Sequence, residues 1–167
     1  MKWYACYTKP RAEKTTQTRL IRAGINCYLP LRKERRRWSD RLKTVTVPLF
    51  SSYIFVQIEE HEFNKTRVEG EIVGFISFSG IPASIPDEQI EIIKRIASDA
   101  EEVEVVPSDI KPGEKIQITG GTLIGVHGEL IRHQGNHKVL VRLTEIGQGL
   151  VFTIDKSLIS PEIDHSG

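Results

Sequence analysis

The stretch that most constrains the fold covers residues 48–57, Pro-Leu-Phe-Ser-Ser-Tyr-Ile-Phe-Val-Gln. When it is read with the two-residue period of a β-strand, Tyr53 and Phe55 point to one face. Ile54 and Val56 then point to the other face. A strand that is apolar on both faces belongs inside a sheet that is covered on both sides. The stretch therefore predicts a central strand, and taken alone it predicts no more than an ordinary core strand.

The most basic segment of the chain, residues 32–43, lies directly before this strand and is called the basic arm. It contains seven Lys and Arg residues against Glu34 and Asp40. Residues 1–50 as a whole carry 13 Lys and Arg against 3 acids, whereas the rest of the chain carries 10 against 19. Such asymmetry favours a polyanionic partner, nucleic acid, for the first half of the chain. The alternative is an ordinary solvated surface.

Length and composition indicate a globular protein. The chain has 167 residues, of which 39% are hydrophobic and 27% charged. No apolar run approaches the roughly 18 residues of a membrane span, and residues 1–7 do not resemble a signal peptide. We therefore expect a cytoplasmic protein with no membrane contact. Motifs for catalysis, phosphate binding or metal binding are absent, so the sequence predicts a binding protein without metal or cofactor and not an enzyme.

The first hundred residues alternate between strand and helix patterns. The predicted elements are strands at 3–8, 25–31, 48–57 and 72–78, helices at about 11–23 and 61–68 and from 86 onward, and a hairpin or mobile loop in the basic arm. This order predicts an α+β fold, an antiparallel-rich α/β sandwich.

The first predicted helix carries one cationic stripe. Arg11, Lys14 and Arg22 lie on it and Arg19 lies beside it, while no acid shares the stripe. An unpaired cationic stripe gains nothing from pairing along the helix, so it suggests an external anionic partner. A routine solvated helix face is the alternative.

The composition changes after residue 100. Residues 98–111 are acidic, contain Pro107 and show no periodicity, so they predict a protease-sensitive linker. Eight of the 13 glycines then fall between residues 113 and 149 among four or five short β-patterns. These predict a small β-barrel of about 50 residues. The expected organisation is a domain at 1–99, an acidic linker at 100–111 and a second domain at 112–167.

Two motifs of the first domain resemble one family of transcription factors. They are Trp3-Tyr4-x-x-Tyr7-x-Lys9-x-x-x-x-Lys14 and Pro48-Leu49-Phe50-x-x-Tyr53-Ile54-Phe55-Val56. Together they resemble the amino-terminal domain of the NusG elongation factors, and the second is typical of the specialised RfaH and UpxY kind. The segments Lys111-Pro112-Gly113-Glu114-Lys115-Ile116 and Gly125-x-x-Gly128-Glu129-Leu130 are similar to the KOW domain of these proteins, an SH3-like β-barrel.

The resemblance implies a transcription elongation and antitermination factor that acts on specific operons. Its first domain would bind the clamp helices of RNA polymerase through an aromatic patch of Tyr7, Phe50, Tyr53 and Phe55. Its nucleic-acid contacts, to the non-template DNA strand or the nascent transcript leader, would come from the basic helix and the basic arm. These residues are Lys9, Arg11, Lys14, Arg19, Arg22, Arg35, Arg36, Arg37, Trp38 and Arg41. Trp38 would either stack on a base or only hold the arm together.

The second domain would offer a partner loop with Leu123, Ile124 and Val126, which in the family contacts the ribosomal protein S10. This loop lacks the aromatic residue that family members usually carry there, which puts ribosome coupling in question. Two alternatives stay open: a housekeeping NusG-type factor, or a KOW-containing RNA-binding module of the translation machinery. The second alternative conflicts with the nearly neutral charge of the predicted barrel.

Overall fold

The computed structural model describes residues 1–133 and 136–162. Its contacts divide the chain into two compact units, Met1–Glu91 and Ile92–Gly167. The helices are α1 (Glu13–Arg22), α2 (Phe63–Gly70) and α3 (Asp87–Asp99). None of the helices in the described residues has the length and apolar character needed to span a membrane.

The first unit is built around an antiparallel sheet. The strands of this unit, in chain order, are β1 (Lys2–Tyr7), β2 (Asn26–Tyr28), β3 (Leu31–Trp38), β4 (Arg41–Pro48), β5 (Tyr53–Ile58), β6 (Gly74–Phe75), β7 (Ser77–Phe78), β8 (Ile81–Pro82) and β9 (Ser84–Ile85). The sheet order is β2-β5-β1-β6, and β9 also pairs with β1. β3 with β4 and β7 with β8 form two separate hairpins.

The buried central strand predicted from residues 48–57 is found, but only the second half of that range belongs to it. Pro48 ends β4, residues 49–52 form a bend and a turn, and the strand, β5, begins at Tyr53. It pairs with β1 on one side and with β2 on the other. Ile54 and Val56 lie in a core cluster with Leu20 of α1, and Phe55 on the opposite face is also fully buried. Each such side chain contributes about 1.5–3 kcal/mol through removal of apolar surface from water.

The α1 helix fixes the turn that leads into β5. Glu13 is a buried acid in its first turn, and its carboxylate accepts a hydrogen bond of 2.8 Å from the backbone N–H of Ser52. Ser52 has a φ of 64°, a strained conformation for a residue with a side chain. The Glu13 contact therefore stabilises an otherwise unfavourable turn. The helix starts two residues later than predicted, because Arg11 also has a positive φ.

The basic arm forms most of the β3–β4 hairpin, called here the cationic hairpin. Its register runs from Leu31 opposite Pro48 to Trp38 opposite Arg41 at the tip. The predicted hairpin is thus confirmed, and it is longer than the basic arm because its two strands extend toward β2 and β5.

The strand predicted at 72–78 is interrupted. Only Gly74 and Phe75 pair with β1 there, after which the chain forms the β7–β8 hairpin and returns as β9. Ser79 and Gly80, with φ of 51° and 78°, make the turn between β7 and β8. The prediction of one continuous strand was wrong because this turn chemistry lies immediately after the apolar run.

The second unit contains a six-stranded antiparallel sheet. Its strands are β10 (Glu101–Pro107), β11 (Glu114–Ile118), β12 (His127–His133), β13 (Asn136–Leu143), β14 (Gln148–Thr153) and β15 (Ile159–Pro161), in the order β10-β14-β13-β12-β11-β15. The two units together show a mixed α/β fold with mostly antiparallel sheets. The SH3-like barrel stays a prediction.

Most of the segment interpreted as an acidic linker is a strand, which corrects that interpretation. β10 pairs with β14, for example Val105 with Leu150, and Val103 is buried. Glu102 has a φ of 53° and lies where the register shifts, so a bulge breaks the alternation there. The alternation of buried and exposed residues that marks a strand is therefore not visible in the sequence of this segment.

A charged pair anchors the loop between β10 and β11. Arg142 donates to the Glu129 carboxylate at 2.6 Å, and also to the carbonyls of Ser108 and Ile110. Glu129 in turn accepts from the backbone N–H of Gly113, and Arg142 lowers the pKa of Glu129 below its ordinary value. These charge-assisted bonds stabilise the loop.

Candidate functional site

The four aromatic residues of the predicted patch separate into two classes. Phe50 and Phe55 are buried, and their rings pack edge to face with centroids 5.9 Å apart. Tyr7 is 39% exposed and Tyr53 is half-buried. The expectation that all four rings form a surface is therefore corrected: two of them fill the core.

The exposed aromatic surface consists of Tyr7 and Tyr53. Tyr7 and Tyr53 are cross-strand partners of β1 and β5, and their ring centroids lie 5.0 Å apart. Val73 is exposed, and its backbone N–H donates to the Tyr7 carbonyl at 2.9 Å. We call Tyr7 and Tyr53 the tyrosine surface, and Val73 is their backbone neighbour on the adjoining segment. Sequence analysis missed Val73, because only the pairing of the following strand with β1 brings it to Tyr7.

One face of the cationic hairpin carries cations without acids. Lys33, Arg35 and Arg37 alternate along β3, so their side chains leave the same face. Their partners across the hairpin are Thr46, Thr44 and Leu42, which add no negative charge. Successive cations are about 7 Å apart along the strand, since each lies two positions after the one before it. Lys33 was not among the predicted nucleic-acid contacts.

The other face of the hairpin is mixed. Arg36 pairs with Glu34 at 3.2 Å, which neutralises part of its charge. Toward the tip, Lys43 lies 5.5 Å from the ring centre of the exposed Trp38. Arg41 is the cross-strand partner of Trp38. The tip therefore combines an exposed indole ring with cations, an arrangement suited to a base and a phosphate.

Two of the predicted helix contacts are engaged within the protein. Lys14 donates from Nζ to the Thr46 carbonyl at 2.9 Å, which joins α1 to the cationic hairpin. Arg19 donates to the Glu69 carbonyl at 3.0 Å and pairs with Glu71 at 3.3 Å. Lys14 and Arg19 thus have structural partners, and their role in nucleic-acid binding stays a prediction.

The remaining predicted contacts of the basic helix are exposed. Lys9 and Arg11 precede α1, and Arg22 ends it. A basic residue in the last turn also complements the helix dipole, so the position of Arg22 has a purely structural explanation as well.

The predicted partner loop of the second unit is mostly buried. Leu123 and Val126 are covered, and only Ile124 is exposed, which corrects the expectation of a three-residue apolar surface. The loop is tightly turned, with Val126 donating to the Leu123 carbonyl and Gly125 at a φ of 90°. Arg95 of α3 donates to the carbonyls of Thr122 and Ile124 and holds the loop in this form.

Comparison with known families gives a match to the first unit and the beginning of the second. The family model described as "Transcription termination factor nusG" matches residues 1–94, more than half of the chain. The chain belongs to the NusG family. Members of the NusG family are transcription factors, and the residues that form the tyrosine surface and the cationic hairpin all lie within the matched range.

Solved structures extend the comparison over nearly the whole chain. A structure described as "Domain interaction in Thermotoga maritima NusG" is similar over 97% of both chains, with 21% identity and a TM-score of 0.57. At that identity, the likeness indicates a NusG-like fold. A chain of the "MjSpt4:Spt5 complex conformation A" matches over 98% of this chain and 99% of its own, with 15% identity and a TM-score of 0.32. That score is too low to support a structural comparison.

The described part of this NusG-family chain contains no group of three or more His, Cys, Asp or Glu residues placed to hold a metal ion. Its two cysteines are free. Cys6 is buried, and burial raises the pKa of its thiol well above the ordinary value, which makes the thiol a poor nucleophile.

Proposed function

We propose that this protein is a transcription elongation and antitermination factor that binds RNA polymerase and the non-template DNA strand. It suppresses pausing and termination on specific operons, as the specialised members of the NusG family do. It performs no covalent chemistry. Its effect is a binding free energy that favours the elongating conformation of the polymerase over the paused one.

The observation that carries this proposal is the presence of two different contact surfaces on one unit. The tyrosine surface is aromatic, and aromatic side chains are enriched among residues that anchor protein interfaces. The cationic hairpin ends at Pro48, five residues before Tyr53 begins β5, and Leu49 donates to the Pro30 carbonyl at 2.8 Å to close its base. A factor that binds a nucleoprotein complex needs both surfaces at a fixed distance.

The cationic hairpin is proposed to contact the nucleic-acid backbone. Its face with Lys33, Arg35 and Arg37 meets phosphates, while Trp38 at the tip stacks on an unpaired base. The phosphate contacts contribute affinity without sequence preference. Preference for a particular leader then comes from base contacts by residues such as Lys9, Arg11 and Arg22 beside the helix.

The second unit is proposed to be a KOW domain of the SH3-like type. Six antiparallel strands over about 60 residues are of the right number and length for such a barrel. Its contact with the ribosomal protein S10 would depend on Ile124, the exposed member of the predicted loop. A weaker interface than in family members with an aromatic residue at this loop is expected.

The test is transcription in vitro with purified polymerase on an operon leader and on a scrambled template. We expect the wild type to raise read-through of a terminator on the leader. Tyr7→Ser combined with Tyr53→Ser should weaken polymerase binding by about 2 kcal/mol or more, because a central anchor is lost.

Ile21→Ser is the matched control, because Ile21 is an exposed apolar residue of α1 that the proposal does not use. Circular dichroism of each variant checks that the fold is intact. Lack of polymerase binding by the wild type would contradict the proposal, and equal read-through on both templates would indicate a general elongation factor instead.

A further inference from the structure

Residues 72–86 form an uncharged segment that is partly exposed. None of these fifteen residues is charged, although 27% of the chain is. The segment contains Val73 and the strands β6 to β9. The hairpin that β7 and β8 form within it is called here the uncharged hairpin. Protein interfaces differ from ordinary surface by depletion of charged residues in their centre. The composition of this segment is therefore that of an interface.

The uncharged hairpin is rooted in the sheet at both ends. β6 pairs with the end of β1, Tyr7 opposite Gly74, and β9 pairs with its beginning, Trp3 opposite Ile85. Between them, Ala83 donates to the Ile76 carbonyl at 3.0 Å and closes the base of the hairpin. β6 and β9 pair with one edge of β1, and the hairpin formed by β7 and β8 projects between them. The sheet therefore fixes the position of this hairpin.

The tip of the hairpin presents two large apolar side chains side by side. Phe78 and Ile81 are cross-strand partners, and they are 61% and 71% exposed. The turn between them has positive φ at both central residues, which matches the twist of a two-residue hairpin. Exposed apolar groups contribute little to folding, because they stay in contact with water. Two adjacent exposed apolar side chains at the tip of a hairpin are typical of a binding surface.

We propose that the uncharged hairpin is a plug: Phe78 and Ile81 insert together into a concave apolar pocket on the surface of a protein partner. The inference rests on the proposed function, which makes RNA polymerase that partner. Val73 directly precedes β6, and its backbone N–H donates to the carbonyl of Tyr7, so the segment that carries the plug begins beside the tyrosine surface. The plug adds a second anchor to the polymerase interface and fixes the rotation of the unit on its partner.

Two other occupants fit the structure less well. A second copy of the chain would meet the tip with another convex tip. Two such side chains expose on the order of 200 Å², against about 800 Å² per partner in a stable complex. Residues 72–86 contain no cation, whereas proteins gain most of their non-specific affinity for nucleic acid by neutralising phosphates. A preformed apolar pocket on a larger protein can bind two apolar side chains without a large contact area and without charge at the tip.

The experiment measures the affinity of the full-length protein for core RNA polymerase without nucleic acid. Phe78→Ser combined with Ile81→Ser should weaken binding about tenfold or more, as expected for truncation of buried anchors. Ile21→Ser combined with Val68→Ser is the matched control, because these residues are 62% and 61% exposed on the helices. The control should bind like the wild type, and Phe78→Leu should retain most of the affinity.

The possible outcomes separate this inference from the proposed function. If the wild type binds polymerase and the Phe78/Ile81 variant binds equally well, the plug is refuted and the proposed function stands. If the wild type does not bind, both are refuted. Loss of DNA affinity with unchanged polymerase affinity would assign the tip to nucleic acid. A wild-type dimer in light scattering that the variant abolishes would assign it to a second copy.

Discussion

The two hairpins of the first unit expose opposite chemistries. The cationic hairpin is long and presents Lys33, Arg35 and Arg37 on one face without an acid. The uncharged hairpin has two residues per strand and presents Phe78 and Ile81 at its tip. The difference teaches that one unit can bind two kinds of macromolecule without competition. A polyanion gains no charge contacts from the uncharged hairpin, and an apolar protein pocket does not accept the charged side chains of the cationic hairpin.

The largest effect is expected from the charges of the cationic hairpin. Lys33→Gln, Arg35→Gln and Arg37→Gln together should lower the salt slope of single-stranded DNA binding by about 2, roughly 0.7 for each lost phosphate contact. At 0.1 M salt this corresponds to about 100-fold weaker binding. Fluorescence anisotropy across a salt series measures both quantities.

The control for this variant removes the same charge elsewhere. Lys2, Lys65 and Arg67 are exposed and lie outside the hairpin, so their triple Gln variant should bind DNA nearly as the wild type does. Equal losses in both triple variants would mean that the hairpin is only part of a diffuse electrostatic surface. Affinity for core polymerase without nucleic acid should be unchanged in both.

A smaller effect is expected from the turns that form the two tips. Gly80 has a φ of 78°, so Gly80→Val should destabilise the first unit by about 1–2 kcal/mol. Ser39 has a φ of 51° at the cationic tip, and Ser39→Gly should change stability by less than about 0.5 kcal/mol, because relief of strain is offset by the greater freedom of the unfolded chain. Denaturant unfolding followed by circular dichroism compares the two. A Gly80→Val variant no less stable than the Ser39→Gly variant would mean that the positive φ of Gly80 does not require glycine.

The smallest effect concerns Trp38, the aromatic residue at the tip of the cationic hairpin. Phe78, the aromatic residue at the other tip, has no charged residue in its own hairpin. Lys43→Gln should remove a cation–π contact with Trp38, worth about 0.5–1 kcal/mol at an exposed site. In a Trp3→Phe background Trp38 is the sole tryptophan, and its acrylamide quenching should increase after the substitution. Unchanged quenching would mean that the contact does not persist in solution.

Local patterns predicted the elements that are regular over several residues. The buried β5 followed from apolar residues on both faces, and the cationic hairpin followed from turn-like residues between two extended basic stretches. Sequence patterns did not separate Tyr53 from Phe55, because both share a face of β5 and only their distance from the strand end differs. The β10 strand was missed because of its bulge at Glu102.

Contacts between distant residues limited the prediction of the site. Lys14 reaches a carbonyl 32 residues away and Arg19 reaches one 50 residues away. A helical wheel assigns Lys14 to the outer cationic stripe and Arg19 to a position beside it, and it carries no information about such partners. Val73 and the Phe78–Ile81 pair were missed for a related reason: their neighbours are fixed by pairing with β1, which a single apolar run does not reveal.

The way in which β6 and β9 share one edge of β1 also affects whether that edge is open to another chain. A strand edge with open N–H and C=O groups is a template for intermolecular pairing and aggregation. Here two strands of two residues each occupy that edge, and Pro82 and Pro86 beside them offer no N–H to a further strand. The segment that exposes Phe78 therefore also covers this edge of β1.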